Sequence, residues 1–197
     1  MAGDRPGRKR SEVSRAAILE ATRDELTAEG YDRLSIDRIA TAAGVGKQTI
    51  YRWYPSKSEL VADCILAGYI VRPVIMTPDT GDVRRDIATW IRSFAKESRT
   101  PSAASLTRAI TAAAAEDNAV AAHFQDQVTI TQETLVTRLR AGVDAGQLHK
   151  DTGVSTVAET VVGALLYRIL TRQELDDVFV DELVELIFSG IVNREER

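Results

Sequence analysis

Between Lys47 and Lys57 the chain concentrates side chains whose chemistry suits a polyanion. Lys47 opens a helical segment, where a full positive charge adds to the positive end of a helix and favours phosphate. The amide of Gln48 can pair with adenine through one donor and one acceptor, and Thr49 can touch a thymine methyl or donate to phosphate. Tyr51, Arg52 and Trp53 can reach a sugar-phosphate backbone, and Lys57 stands where the next helix begins. The same run also reads as a solvated amphipathic helix with Tyr51, Trp53 and Tyr54 as core aromatics. That second reading suits Tyr54 best, because Tyr51 and Trp53 cannot both share its buried face.

The residues just before this run can hold it in place. Ser35 is placed to cap a helix over Ile36–Ala43, its hydroxyl accepting an otherwise orphaned N–H. Ile36, Ile39 and Ala40 form the buried face of that helix, and a turn Ala43-Gly44-Val45-Gly46 leads into Lys47–Tyr54. Ala43 is small where two helices must approach, and Gly44 can adopt the positive φ such a turn needs. Helix, tight turn and second helix make the helix-turn-helix pattern, in which the second helix enters the major groove. Ser35, Lys47, Gln48, Thr49, Tyr51, Arg52, Trp53 and Lys57 are the candidate DNA-binding set.

Helical periodicity continues on both sides. A first helix is expected over 12–29, ended by Gly30, with the basic arm Arg5, Arg8, Lys9 and Arg10 in front of it. Such an arm can follow phosphates or enter a minor groove, or simply solvate the terminus. Ser56 can cap a fourth helix reaching Val71, and Pro73 and Pro78 mark a connector. Asp79 or Thr80 is expected to cap a helix through Ser98, followed by helices from Pro101 to Ala115 and from Asn118 to Ala145. Two more, Val154–Thr171 and Asp177–Val192, complete an all-α chain of about nine helices with no convincing strand.

The last two helices are apolar over unusually broad stripes. Val157, Ala158, Val161, Val162, Ala164, Leu165, Leu166, Ile169 and Leu170 leave the penultimate helix little polar circumference. It is either central to its own subunit or covered partly by a second copy of the chain. On the second alternative Ala158, Val161, Val162, Leu165, Ile169, Leu183, Ile187 and Ile191 are the candidate dimer interface.

Composition sets the frame for these motifs. In 197 residues, 44% are hydrophobic and 27% charged, which is ordinary globular composition. The net charge of −4 is uneven, with +3 over residues 1–57 and −7 over 58–197, as for a small cationic module on an acidic body. The domains are therefore expected at 1–57 and 58–197. The single cysteine, Cys64, forms no internal disulfide and reads as apolar filler. A polar, basic start without an apolar core and the lack of a membrane-length apolar run point to the cytoplasm and away from membranes. His123 and His149 lack partners at ligand spacing, and no Gly-rich phosphate loop, nucleophile elbow or zinc-protease motif occurs, so no metal, cofactor or enzymatic activity is expected. If the body holds a pocket, Trp90, Phe94, Phe124 and Tyr167 are candidate liners, although each also reads as plain core.

Over residues 15–65 the sequence resembles the TetR family of regulators. The resemblance rests on Ile18, Gly30-Tyr31, Ile39-Ala40, Ala43-Gly44-Val45, and Tyr51 through Tyr54 to Lys57. Residues 138–171 and 181–191 are similar, more loosely, to the family's dimerising body. Two positions depart from the pattern: Gly46 replaces a usual Ser or Thr, and Gln48 a common Gly. The resemblance implies an N-terminal three-helix DNA-binding domain on a larger ligand-binding and dimerisation domain. It implies a homodimer on a palindromic double-stranded operator, acting as a repressor released by a small apolar or amphipathic ligand. The alternatives are a DNA-binding regulator without a ligand, controlled by abundance or a protein partner, and an enzyme on a helical bundle.

Overall fold

The structure, a computed structural model, describes residues 6–70 and 74–191, with residues 6–10, 101 and 190–191 described by backbone alone. Among the described residues the chain is all-α. Its helices are α1 Pro6–Glu29, α2 Ile36–Ala42, α3 Lys47–Trp53, α4 Lys57–Leu66, α5 Val83–Ser98, α6 Pro101–Glu116, α7 Asn118–Asp144, α8 Val154–Leu170 and α9 Asp177–Ile191. A single 3-10 turn, Tyr31–Arg33, links α1 to α2. No helix among the described residues is long and apolar enough to cross a membrane.

Three boundaries differ from expectation by more than one residue, each for a local reason. Helix α1 begins at Pro6, a residue suited to a first helical turn, so Arg8, Lys9 and Arg10 belong to the helix and not to an arm before it. Arg5 lies outside the described residues. Helix α4 stops at Leu66 because Gly68 takes the left-handed conformation, with φ at +76°, and the Tyr69 N–H turns back to the Cys64 carbonyl at 3.0 Å. Helix α5 is capped by Asp82, whose carboxylate accepts the Arg85 N–H at 3.0 Å. Thr80 instead directs both its N–H and its hydroxyl to Asp86 inside the helix.

The described chain packs as two units. The first comprises α1–α4, α6 and the start of α7 as far as Phe124. Ile18, Leu19 and Leu26 of α1, Ile39 of α2, Ile50 of α3 and Leu60, Val61 and Ile65 of α4 share one buried cluster with Ala109, Ile110 and Ala113 of α6. This packing unit thus extends beyond residue 57. Helix α6 lies close against the link between α1 and α2. Gly30 has φ at +75°, and a Cβ there would sit 3.0 Å from the Ser105 Cβ, so both conformation and space call for glycine. Beside it the Ser105 hydroxyl accepts the Asp32 N–H at 3.1 Å, and Arg108 donates to the Asp32 carboxylate at 2.8 Å.

The second unit contains α5, the rest of α7, α8 and α9. Val83, Ile87, Trp90, Ile91 and Phe94 of α5 are buried, and both α8 and α9 pack on this helix. Along its rim, Arg84, Arg92 and Arg99 meet Glu185, Asp181 and Asp177 of α9. These exposed pairs contribute little stability, about 0–1 kcal/mol each, but they fix which side of α9 faces α5.

Candidate nucleic-acid interface

Helix α3, the second helix of the helix-turn-helix pattern, packs chiefly on α2. Ser35 caps α2 by accepting the Arg38 N–H at 3.4 Å, and its own N–H donates to Glu25 at 3.3 Å. Glu25 also accepts the Arg38 Nε at 2.6 Å, which ties α2 to α1. The turn uses Gly44 at φ +65°, and the Val45 N–H returns to the Ala40 carbonyl at 3.0 Å. Gly46 then starts α3 with no side-chain cap, so the first N–H groups of α3 are left to other acceptors.

Within α3, Ile50 is the buried residue. Lys47, Gln48, Tyr51 and Arg52 are exposed, while Thr49 and Trp53 are half-buried. Trp53 packs partly on the core cluster, so its ring serves the fold as well as any DNA contact. Tyr54 is buried, and its hydroxyl donates to Asp63 at 2.5 Å. Burial first, and then this hydrogen bond, push the phenol well above its ordinary value, so it remains a donor. Asp63 also accepts Arg15 Nε at 2.9 Å, which joins α1, α4 and the end of α3 through one carboxylate.

Two of the candidate cations already have partners. Lys47 forms an ion pair with Asp37 of α2. Lys57 donates from Nζ to the Leu34 carbonyl at 2.6 Å and so braces the start of α4 against the start of α2. Asp37, Asp63 and Arg15 were not singled out from the sequence. Asp63 had a usable signal, since a carboxylate between Ala62 and Cys64 in an apolar run calls for a donor. Asp37 had none, because its partner depends on the path of the turn.

Outside this region the sequence candidates separate. Trp90 is fully buried, donates its indole N–H to the Ile75 carbonyl at 2.8 Å, and stacks on Phe94 with ring centres 5.5 Å apart. Phe124 packs on the first unit's cluster, whereas Tyr167 is exposed in the second. The four proposed pocket residues are thus not gathered within either unit. Ala158, Val161, Val162, Leu165, Ile169, Leu183 and Ile187 are each more than nine-tenths buried in the single chain, which assigns them to its own core. The side chain of Ile191 lies outside the described residues. The surface that α8 and α9 leave open carries Gly163, Tyr167 and Leu170 on one helix and Val178 and Leu186 on the other.

Cys64 is fully buried, and burial pushes its thiol up to about 12. Its Sγ donates to the Leu19 carbonyl at 3.4 Å, so it behaves as packing. Among the described residues no group of three His, Cys, Asp or Glu side chains is placed to hold a metal.

The geometry of α3 permits a direct prediction. Gln48→Ala is expected to relax base preference at one position per half-site, at a cost of about 1–3 kcal/mol for the preferred sequence. Selection of bound duplexes from random DNA reads this directly. An unchanged motif would remove Gln48 as a base reader.

Comparison with known proteins covers nearly the whole chain. Residues 18–64 match the family described as bacterial regulatory proteins, tetR family, and residues 77–187 match the tetracyclin repressor-like C-terminal domain. The chain is 29% identical over 187 residues to the HTH-type transcriptional regulator YdeS of Bacillus subtilis, covering 94% of this chain and 93% of that protein. It is 28% identical over 186 residues to a DNA-binding transcriptional repressor TetR of Mycobacteroides abscessus, covering 93% and 96%. Among solved structures, the TetR family transcription regulator SCO0332 is 33% identical, with a TM-score of 0.60 and coverage of 91% and 99%.

Proposed function

Because the chain belongs to the TetR family and is a sequence-specific DNA-binding transcription regulator, we propose that it represses transcription until a small molecule releases it. The division of labour proposed here is DNA reading by residues 1–57 and sensing and dimerisation by 58–197, in the cytoplasm. The observation that carries the DNA-reading part is α3 itself, anchored by Ile50 with Lys47, Gln48, Tyr51 and Arg52 turned outward. Ser35, Thr49, Trp53 and Lys57 complete the contact set, with Ser35 and Lys57 also serving to position α2 and α4. Repression is supported by the match of 77–187 to a repressor-like domain and by the name of the Mycobacteroides abscessus relative.

The proposed active form is a homodimer on a palindromic operator. Two reading helices must then lie about 34–36 Å apart, one turn of B-DNA, or a multiple of it. The open faces of α8 and α9 are the natural seam, because Tyr167, Leu170, Val178 and Leu186 are large apolar side chains left in water. In this arrangement the inner residues, Leu165 among them, support the seam from behind.

Release by a ligand makes a reciprocal demand. If an effector weakens operator binding by some factor, operator must weaken effector binding by the same factor, typically about 5- to 150-fold. The test begins with an operator selected from random duplex DNA and compounds that raise the melting temperature of the full-length protein. Calorimetry of each compound is then run with and without saturating operator. Lower affinity in the presence of operator is the expected result. Equal affinities for every compound would remove the sensor reading and favour control by abundance or a protein partner.

A further inference from the structure

The second unit contains an ion pair sealed from water. Asp86 of α5 is inaccessible and Arg138 of α7 is 5% exposed. Arg138 Nε donates to Asp86 Oδ2 at 2.6 Å, the Thr80 N–H donates to the same oxygen at 3.0 Å, and the Thr80 hydroxyl donates to Oδ1 at 2.7 Å. The carboxylate is therefore well satisfied, but the guanidinium is not. Arg138 Nη2 is buried and has no hydrogen-bond partner. A buried charged donor left unpaired is costly, and the fold has no need of it to hold Asp86.

The surroundings of this donor have a pattern. Asp86, Trp90, Phe94 and Ser98 follow at intervals of four, so they form one stripe along α5. Trp90 and Phe94 stack in its middle. At its far end the Ser98 hydroxyl is also buried without a partner, about 18 Å from Asp86 at the helical rise per residue. Among the described residues, one unpartnered buried group of the second unit, the Ser98 hydroxyl, thus ends this aromatic stripe, and the other, Arg138 Nη2, belongs to the α7 side chain bonded to Asp86 at the opposite end.

We propose that Arg138 Nη2 is the polar anchor of the effector site, and that the effector is an uncharged molecule presenting a carbonyl-type oxygen on an apolar frame. This deepens the sensor reading and rests on it. The sign of the charge follows from the neighbours. Arg138 already faces Asp86, and Asp79 lies 3.5 Å from its Nε. Asp79 is largely exposed, but a carboxylate ligand at Nη2 would add a second buried anion beside a guanidinium whose charge Asp86 already balances, and such an imbalance is penalised away from water. A neutral acceptor satisfies the spare N–H and leaves the Asp86–Arg138 balance as it is.

Three probes of nearly one shape test this on the full-length protein by calorimetry: acetophenone, benzoate and ethylbenzene. Wild type is expected to bind acetophenone about tenfold or more tightly than either of the others. Arg138→Lys keeps a cation beside Asp86 but ends one bond short of Nη2, and should lower acetophenone to the level of ethylbenzene. If that variant does not fold, Asp86→Leu with Arg138→Met replaces the pair by apolar side chains and should show the same loss. The proposal is overturned by equal affinity for acetophenone and ethylbenzene, by tightest binding of benzoate, by absence of binding of all three, or by a ketone preference that survives the substitutions. Operator binding measured in parallel separates the two readings. Operator release by benzoate alone would keep the sensor and discard the neutral anchor. Acetophenone bound through Arg138 without effect on operator would do the reverse.

Discussion

In chemical denaturation Asp86→Ala is expected to lose about 3–5 kcal/mol of stability, because it removes the buried partner of the Arg138 guanidinium and leaves it only the exposed Asp79 carboxylate, 3.5 Å away. It also frees both Thr80 donors that fix the segment before α5. Replacing both partners, Asp86→Leu with Arg138→Met, is expected to cost far less, since no charge is then stranded. The effect has a pH signature. Burial pushes the Asp86 carboxyl upward, but hydrogen bonds from Thr80 and the hydrogen bond and charge of Arg138 outweigh it and hold the group below its ordinary value. A carboxyl lowered on folding contributes stability that is fully present above its unfolded pKa, about 3.9, and is lost as pH falls through the lower folded value. The gap between wild type and Asp86→Ala should therefore be constant near neutrality and narrow in acid. A loss below about 1 kcal/mol at neutral pH would show that the pair does not clamp the unit.

Leu186→Asp should separate the protein into folded monomers. Leu186 is 70% exposed in the single chain, so a carboxylate there costs the isolated subunit little. In a two-fold seam it places two carboxylates against apolar surface, and association should weaken by about 2–6 kcal/mol per dimer. Helical circular dichroism should be retained while light scattering falls to the monomer mass, and operator affinity should drop because the half-sites are no longer linked. Leu165→Asp makes the contrast. Leu165 is fully buried within its own unit, so its variant is expected to misfold rather than to separate. A Leu186→Asp protein that remains dimeric at micromolar concentration would place the seam elsewhere.

What the sequence determined by itself was local. The caps at Ser35 and Ser56, the positive φ at Gly44, the start of α6 at Pro101 and the stop of α7 before Gly146 follow from the needs of a few neighbouring peptide groups. Helix α3 belongs with them, because its buried Ile50 and its exposed Gln48 lie within a single turn of each other. Tertiary structure decided what depends on distant partners. Asp86 and Arg138 are 52 residues apart, and nothing local to either shows that one needs the other. The same pairing drew Thr80 away from capping and left Asp82 to begin α5. It also decided the two sides of α8. Apolar periodicity shows that a helix must be covered, but the water-excluding surface can be its own subunit or a second one. Only packing on α5 assigned Leu165 inward and left Tyr167, two positions on, to face solvent.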